Sequence, residues 1–228
     1  MVSGPVCVHF ATDMLHLPTR YERAQVQQFY YDMSRKLFGG YQSLAYNYGN
    51  IEMFTVYGNG GSSRLYLMPD RFRILEQNSG IKLEDFKARV EVTMTSAANI
   101  FAVSAFPFQT VRMTALTQPL LWEDATEFLA KKVCGLDEED LESFKRPADA
   151  FSMNFTFLAT QEEQCTFNLK IDAHREPRKN VSIEIEGNYA TNIPADKIAQ
   201  AAANVQATYD FIGQRVFTML NRYDSPQP

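Results

Sequence analysis

Cysteine, histidine and tryptophan are scarce in this chain: three, three and one among 228 residues. Each shortage removes a class of function. Cys7, Cys134 and Cys165 are odd in number and widely spaced, so they form neither a disulfide framework nor a pair of metal ligands. His9, His16 and His174 are equally scattered. His9 and Cys7 are two apart in the first strand signal and read as sharing one side of the pleat, but a metal site needs three or four ligands and no others suggest themselves. A Gly-x-Ser-x-Gly nucleophile elbow is missing. The glycine cluster Gly58-Asn59-Gly60-Gly61-Ser62-Ser63 lacks the Lys-Ser/Thr ending of a phosphate loop, and a strand rather than a helix follows it, so it reads as a hairpin loop. Neither metal nor cofactor is expected. Apolar runs such as Ile100–Phe108 are far too short to span a membrane. The opening MVSGPVCVHFATD has no basic region ahead of an apolar one, so no signal peptide is expected and the chain reads as cytoplasmic.

What is present is an ordinary globular composition, 45% hydrophobic and 21% charged, with 17 Phe and 11 Tyr. Such a chain is long enough for a substantial core. The net charge of −5 is uneven. Residues 1–114 hold 11 Lys and Arg against 9 Asp and Glu, and residues 115–228 hold 11 against 18. An acidic protein is a poor general partner for phosphate backbones, so nucleic-acid binding is not expected.

Strand and helix signals alternate along the chain. A strand at Val6–Thr12 precedes a helix that Pro18-Thr19 opens and Gly39-Gly40 closes. Strands at Ser43–Tyr48, Ile51–Tyr57, Arg64–Met68 and Arg71–Glu76 follow, separated by Gly49-Asn50, the glycine cluster and Pro69-Asp70. A helix at Leu83–Ile100 completes the first half. The second half repeats the plan: a strand at Thr110–Thr117, a helix at Trp122–Val133, a short turn at Asp137–Phe144, strands at Phe151–Ala159, Cys165–Ala173 and Val181–Tyr189, and a long helix over Pro194–Arg222. The acidic run Asp137-Glu138-Glu139-Asp140 suits a helix start. The expected fold is α+β: duplicated β-α-β(3–4)-α halves, about 5–108 and 109–223, forming one domain with a curved antiparallel sheet, helices on one face, and a flexible tail at 224–228.

This order of elements resembles the duplicated arrangement of the TATA-binding-protein-like fold. The stretches Asp70-Arg71-Phe72-Arg73-Ile74-Leu75, Leu83-Glu84-Asp85-Phe86 and Val111-Arg112-Met113 are similar to an uncharacterised, sporadically distributed bacterial family, in which a strand, a short helix start ending in Phe and an arginine-led strand occur in that order. Here the last strand continues Thr114-Ala115-Leu116 in place of the family's Gly-Leu-Arg-Tyr. The resemblance implies a fold and no known activity.

The stretch RLYLMPDRFRILEQ, Arg64–Gln77, carries the functional question. Leu65, Leu67, Phe72 and Ile74 fall on one side of the pleat and read as core. Arg64, Tyr66, Met68, Arg71 and Arg73 fall on the other, with Tyr46 and Tyr48 or their neighbours alongside. Tyr and Arg are enriched at binding hot spots. The expected function is therefore a non-enzymatic binding or assembly protein that engages a protein partner or a second copy through this face. The bland reading is that arginine stems merely cover apolar neighbours. The alternative function is a helix-grip-like module for a small molecule or lipid, suggested by the phenylalanine-rich second half. An enzyme with a dispersed site has no positive support. The long last helix, with Ala201-Ala202-Ala203, reads as internal packing or as part of a dimer seam. The basic loop from His174 to Asn180 reads as solvated or as a weak anion contact.

Overall fold

A computed structural model describes residues 3–37, 39–47, 49–146, 149–173 and 178–225. Nine strands form one antiparallel sheet: β1 (Val6–Leu15), β2 (Ser43–Asn47), β3 (Asn50–Val56), β4 (Ser62–Met68), β5 (Arg71–Gln77), β7 (Phe108–Thr117), β8 (Ser152–Phe157), β9 (Thr166–Ala173) and β10 (Val181–Tyr189). Their order is β2-β3-β4-β5-β1-β7-β10-β9-β8. Strands β1 and β7 thus lie side by side near the centre, and each half of the chain fans outward from them. Two residue-pair strands, β6 (Ala105–Phe106) and β11 (Ile193–Pro194), form a separate small ribbon.

The helices are α1 (Arg23–Lys36), α2 (Leu83–Phe101), α3 (Ala125–Glu127), α4 (Glu138–Glu142), α5 (Ala199–Asp210) and α6 (Phe217–Tyr223). Wider, π-helical turns continue α3 over Phe128–Val133 and join α5 to α6 over Phe211–Val216. A helix start at Asp137 is realised through a reciprocal cap, with Asp140 N–H donating to the Asp137 side chain and Asp137 N–H to that of Asp140. The expected long final helix begins later than Pro194, which belongs to β11 and caps a short 3-10 turn.

Alternation decides which face is covered. Phe10, Met14, Leu65, Leu67, Phe72, Ile74, Val111 and Met113 join one core with Val26, Phe29 and Met33 of α1, Phe86, Val90 and Met94 of α2, and Val205 of α5. Phe10 stacks on Phe86 at 5.1 Å. In the second half, Gly187 lets α5 approach: a Cβ there would lie 2.8 Å from Thr208 Oγ1 and 3.0 Å from the Tyr189 ring. Asn204 of α5 donates to Gln109 Oε1 at 2.8 Å, and Gln109 donates to the Ala201 carbonyl at 3.1 Å. The alanine stretch therefore seats α5 on β7, and Ala201 and Ala202 are buried within the chain.

Two expectations change, and one alternative is settled. A register shift between Cys7 and His9 pairs Cys7 with Ala115 and His9 with Thr114. Those neighbours on β7 point to opposite faces, so the bulge puts Cys7 toward the core and His9 on the open side. The C-terminal tail does not begin at Asp224, which is fully buried and accepts hydrogen bonds from Leu120 N–H and Leu121 N–H at 2.8 and 3.1 Å. Of the two alternatives left open on β2, the structure takes the neighbours: Tyr46 pairs with Ile51 on the helix side of the edge, and Ala45 and Asn47 lie beside the arginine face. Tyr48 and the loop tip from His174 to Pro177 fall outside the described residues. Among the described residues, no helix is long and apolar enough to cross a membrane.

Candidate functional site

The face of the sheet that the helices leave open holds all five arginine-stretch candidates. Strand registers set Glu52 opposite Tyr66, Tyr66 opposite Arg73, and Arg73 opposite Asp13. The next row runs Phe54, Arg64, Leu75, Ala11, Arg112, Glu186. The two-residue Pro69-Asp70 turn closes the hairpin that makes Arg64, Tyr66, Met68, Arg71 and Arg73 neighbours. They remain half-buried, because arginine stems lie over adjacent apolar groups while their heads reach outward.

Those heads are held by carboxylates. Arg64 Nη1 donates to Glu52 Oε1 at 2.6 Å, and the guanidinium lies 5.8 Å from the Phe54 ring. Arg71 grips Asp70 with two bonds, of 3.0 and 2.9 Å. Arg73 donates to both oxygens of Asp13, at 2.7 and 3.3 Å. Arg112 donates to Asp13 Oδ2 and to Glu186 Oε2, both at 2.6 Å. Asp13 is thus a bridge between the arginines of β5 and β7, and it is only 2% exposed. Lys170 pairs with Asp172 further along. Contact with Tyr66 and Glu52 raises the Arg64 pKa, and the Asp70 bonds raise that of Arg71. Burial opposes the charge on Arg112, yet its bonds to Glu186 and Asp13 raise its pKa.

These five cations each have a carboxylate partner, so the face presents fixed, alternating charge rather than a positive field. That geometry gives little to a polyphosphate, whose binding draws on unneutralised cations. It does give oriented donors and acceptors around Tyr66, Met68, Leu15 and Leu75. The Asp13 bridge yields a direct prediction. Asp13→Asn keeps the shape but weakens charged hydrogen bonds to two arginines that water still reaches, and should cost about 1–3 kcal/mol in urea denaturation. A loss below a few tenths would mean that the bridge does not order this face.

On the second-half side the same face deepens to a hollow of about 600 Å³ bordered by His9, Arg112, Asn168, Lys170, Glu184 and Glu186. Desolvation, with Arg112 nearby, lowers the His9 pKa. The sequence reading missed this hollow and the partners Asp13, Arg112 and Glu186. Asp13 lay beyond the expected end of the first strand, and strand order, which brings Arg112 beside it, is not written in local alternation.

Two clefts lie on the helix side. One, of about 400 Å³, is bordered by Cys165, Phe167, Tyr189, Asn204, Phe211 and Arg215 where the π-helical turn crosses the sheet. Here the second-half phenylalanines pack ring against ring at a tilt: Phe167 on Phe211 at 4.4 Å, Phe157 on Phe211 at 5.2 Å. The other, of about 640 Å³, has Lys36, Tyr57, Lys82, Glu76 and Arg89 on its walls. At its base Arg89 Nη1 meets Glu76 Oε1 at 2.9 Å, and Ser63 donates to the same oxygen at 2.6 Å. Glu76 and Arg89 are 1% and 4% exposed, and Glu76 Oε2 meets no hydrogen-bond partner within bonding geometry among the described residues. Burial raises the Glu76 pKa despite Arg89. Among the described residues, no three His, Cys, Asp or Glu side chains converge as a metal site. No protein-family model matches the chain, and no curated protein matches it.

Proposed function

We propose that this chain is a non-enzymatic binding protein of the cytoplasm, and that the open sheet face of its first half docks a partner protein. In this reading the chain follows the duplicated TATA-binding-protein-like plan, its two halves joined at β1 and β7 into a curved sheet. The observation that carries the function is the combination on one uncovered face: Tyr66, Met68, Leu15 and Leu75 among arginines already fixed by carboxylates. Preorganised side chains lose little freedom on binding, which favours a specific contact. The balanced charge favours a protein surface of mixed sign over a nucleic acid. A small-molecule module is the second reading, supported by the cleft beside Tyr189 and Phe211, where π-helical turns frequently mark functional sites.

The test must spare Arg73, because reversing its charge would set an acid against buried Asp13. A photo-crosslinking residue replacing Met68 is expected to capture one discrete protein in cells. Tyr66→Ala with Arg71→Glu should abolish that product while leaving the melting temperature near native. Capture that persists in the double variant, or no capture at all, would overturn the surface.

A further inference from the structure

Strand β8 ends the sheet, and its character differs from that of a protected edge. It pairs with β9 on one side, and no strand pairs with its other side among the described residues. Its sequence, SMNFTF, holds no charge and no proline. Natural edges are commonly blunted by those very residues, because an open row of N–H and C=O groups recruits another strand. The covering helix stops short: Phe155 and Phe157 remain 38% and 40% exposed although they lie on the core side, stacked on each other at 6.0 Å. Leu158, just beyond, is 77% exposed.

We infer that β8 pairs antiparallel with β8 of a second copy, making a two-fold dimer whose sheet runs continuously through both chains. The occupant follows from the chemistry of the edge. Directional backbone groups call for a strand, and an isologous strand contact demands self-complementarity. A two-fold axis through Phe155 supplies it. Phe155 then faces its own counterpart, Met153 faces Phe157 of the second copy, and Asn154 faces Thr156. Each pair is chemically matched: aromatic on aromatic, sulfur on aromatic, amide beside hydroxyl. The parity of this register also keeps both apolar sides on the helix face and both polar sides on the open face. The other sheet edge, β2 (SLAYN), is shorter and offers one exposed large apolar side chain, Tyr46, where β8 and the residue after it offer Phe155, Phe157 and Leu158. The dimer stands independently of the partner surface proposed above, and it would set two copies of that surface on one sheet.

Light scattering across a concentration range tests the dimer. The native chain should pass from monomer to dimer mass as concentration rises, and hydrogen exchange in β8, not β2, should slow in step. Phe155→Lys sets two lysines face to face and should weaken dimerisation by about tenfold or more. Phe155→Glu should do the same, and mixing the two variants should restore a heterodimer. Asn154→Lys, on the exposed open face, gives a weaker loss without touching packing and guards against misfolding of the first pair. Tyr66→Ala/Arg71→Glu should leave dimerisation unchanged, which separates this edge from the partner surface. A native chain that stays monomeric, a dimer that survives Phe155→Lys, or variants that fail to rescue each other would overturn the proposal.

Discussion

Arg89→Met is expected to cost about 3–5 kcal/mol of folding stability, the largest effect of any single charge removal in this protein. Arg89 and Glu76 are both almost fully enclosed, and their contact is 2.9 Å. The substitution leaves a buried carboxylate without its cation, served by the Ser63 hydroxyl and the nearby Ser79. Met fills the stem of arginine, so little of the loss comes from a cavity. The cost should also depend on pH. Burial already raises the Glu76 pKa from its usual 4.5, even with Arg89 beside it. A carboxyl that binds its proton more tightly when folded adds stability that is fully present below 4.5 and is lost as pH rises through the folded value. Removing Arg89 removes a force that lowers this pKa. The deficit of Arg89→Met relative to native should therefore shrink toward acid and grow toward neutral pH. Adding Glu76→Leu should recover most of the loss, since an apolar pair of similar volume often replaces a buried ion pair at no net cost. Urea denaturation across a pH series rising from 4.5, the ordinary value of the group, checks both points; a pH-independent deficit would show that Glu76 keeps its charge by other means.

Phe72→Ala should cost about 3–5 kcal/mol as well, by a different route. The Phe72 ring is fully buried and touches four aromatic neighbours: His16 at 4.4 Å, Phe101 at 6.0 Å, Tyr21 at 6.1 Å and Phe106 at 6.2 Å. His16 and Tyr21 come from the loop between β1 and α1, Phe101 from α2 and Phe106 from β6, so with β5 itself the ring is where four segments meet. Alanine leaves a void that none of them can close alone. Phe72→Leu should lose clearly less, because most of the volume remains. Thermal unfolding of the two variants measures the difference, and equal losses would point to aromatic contacts rather than volume as the source. Arg71 and Arg73 flank Phe72 on β5, so the partner contact proposed above should fail in Phe72→Ala only where the fold itself melts.

Local pattern revealed much of this architecture. Val181–Tyr189 is a strand over the very span its alternation implies, and Arg64–Met68 and Arg71–Gln77 orient as their side chains require. Leu65, Leu67, Phe72 and Ile74 are buried as expected. Misses occurred where local pattern is silent. The bulge beside His9 flips a face through one inserted residue, and no apolar period records it. The π-helical turns keep helical spacing in the sequence, so Phe128–Val133 and Phe211–Val216 read as plain helix. Asp224 looks like a tail residue because its partners, Leu120 and Leu121, lie 104 and 103 residues away. The candidate site was half legible for the same reason: the arginines share one hairpin, whereas Asp13 and Glu186 reach them only through strand order.

The central place of β1 has a consequence for synthesis. This strand leaves the ribosome before every other strand of its sheet, and it can be flanked by β5 once Gln77 has been made. Its other edge closes only against β7, as in the Thr12–Thr110 bond between residues 98 apart. Roughly 40 more residues must be added before Thr117 ends that partner, which takes about 2–8 s at usual translation rates. Throughout that interval the nascent chain carries an open strand in what becomes the middle of its sheet, and chaperone capture or arrested translation would act most strongly there.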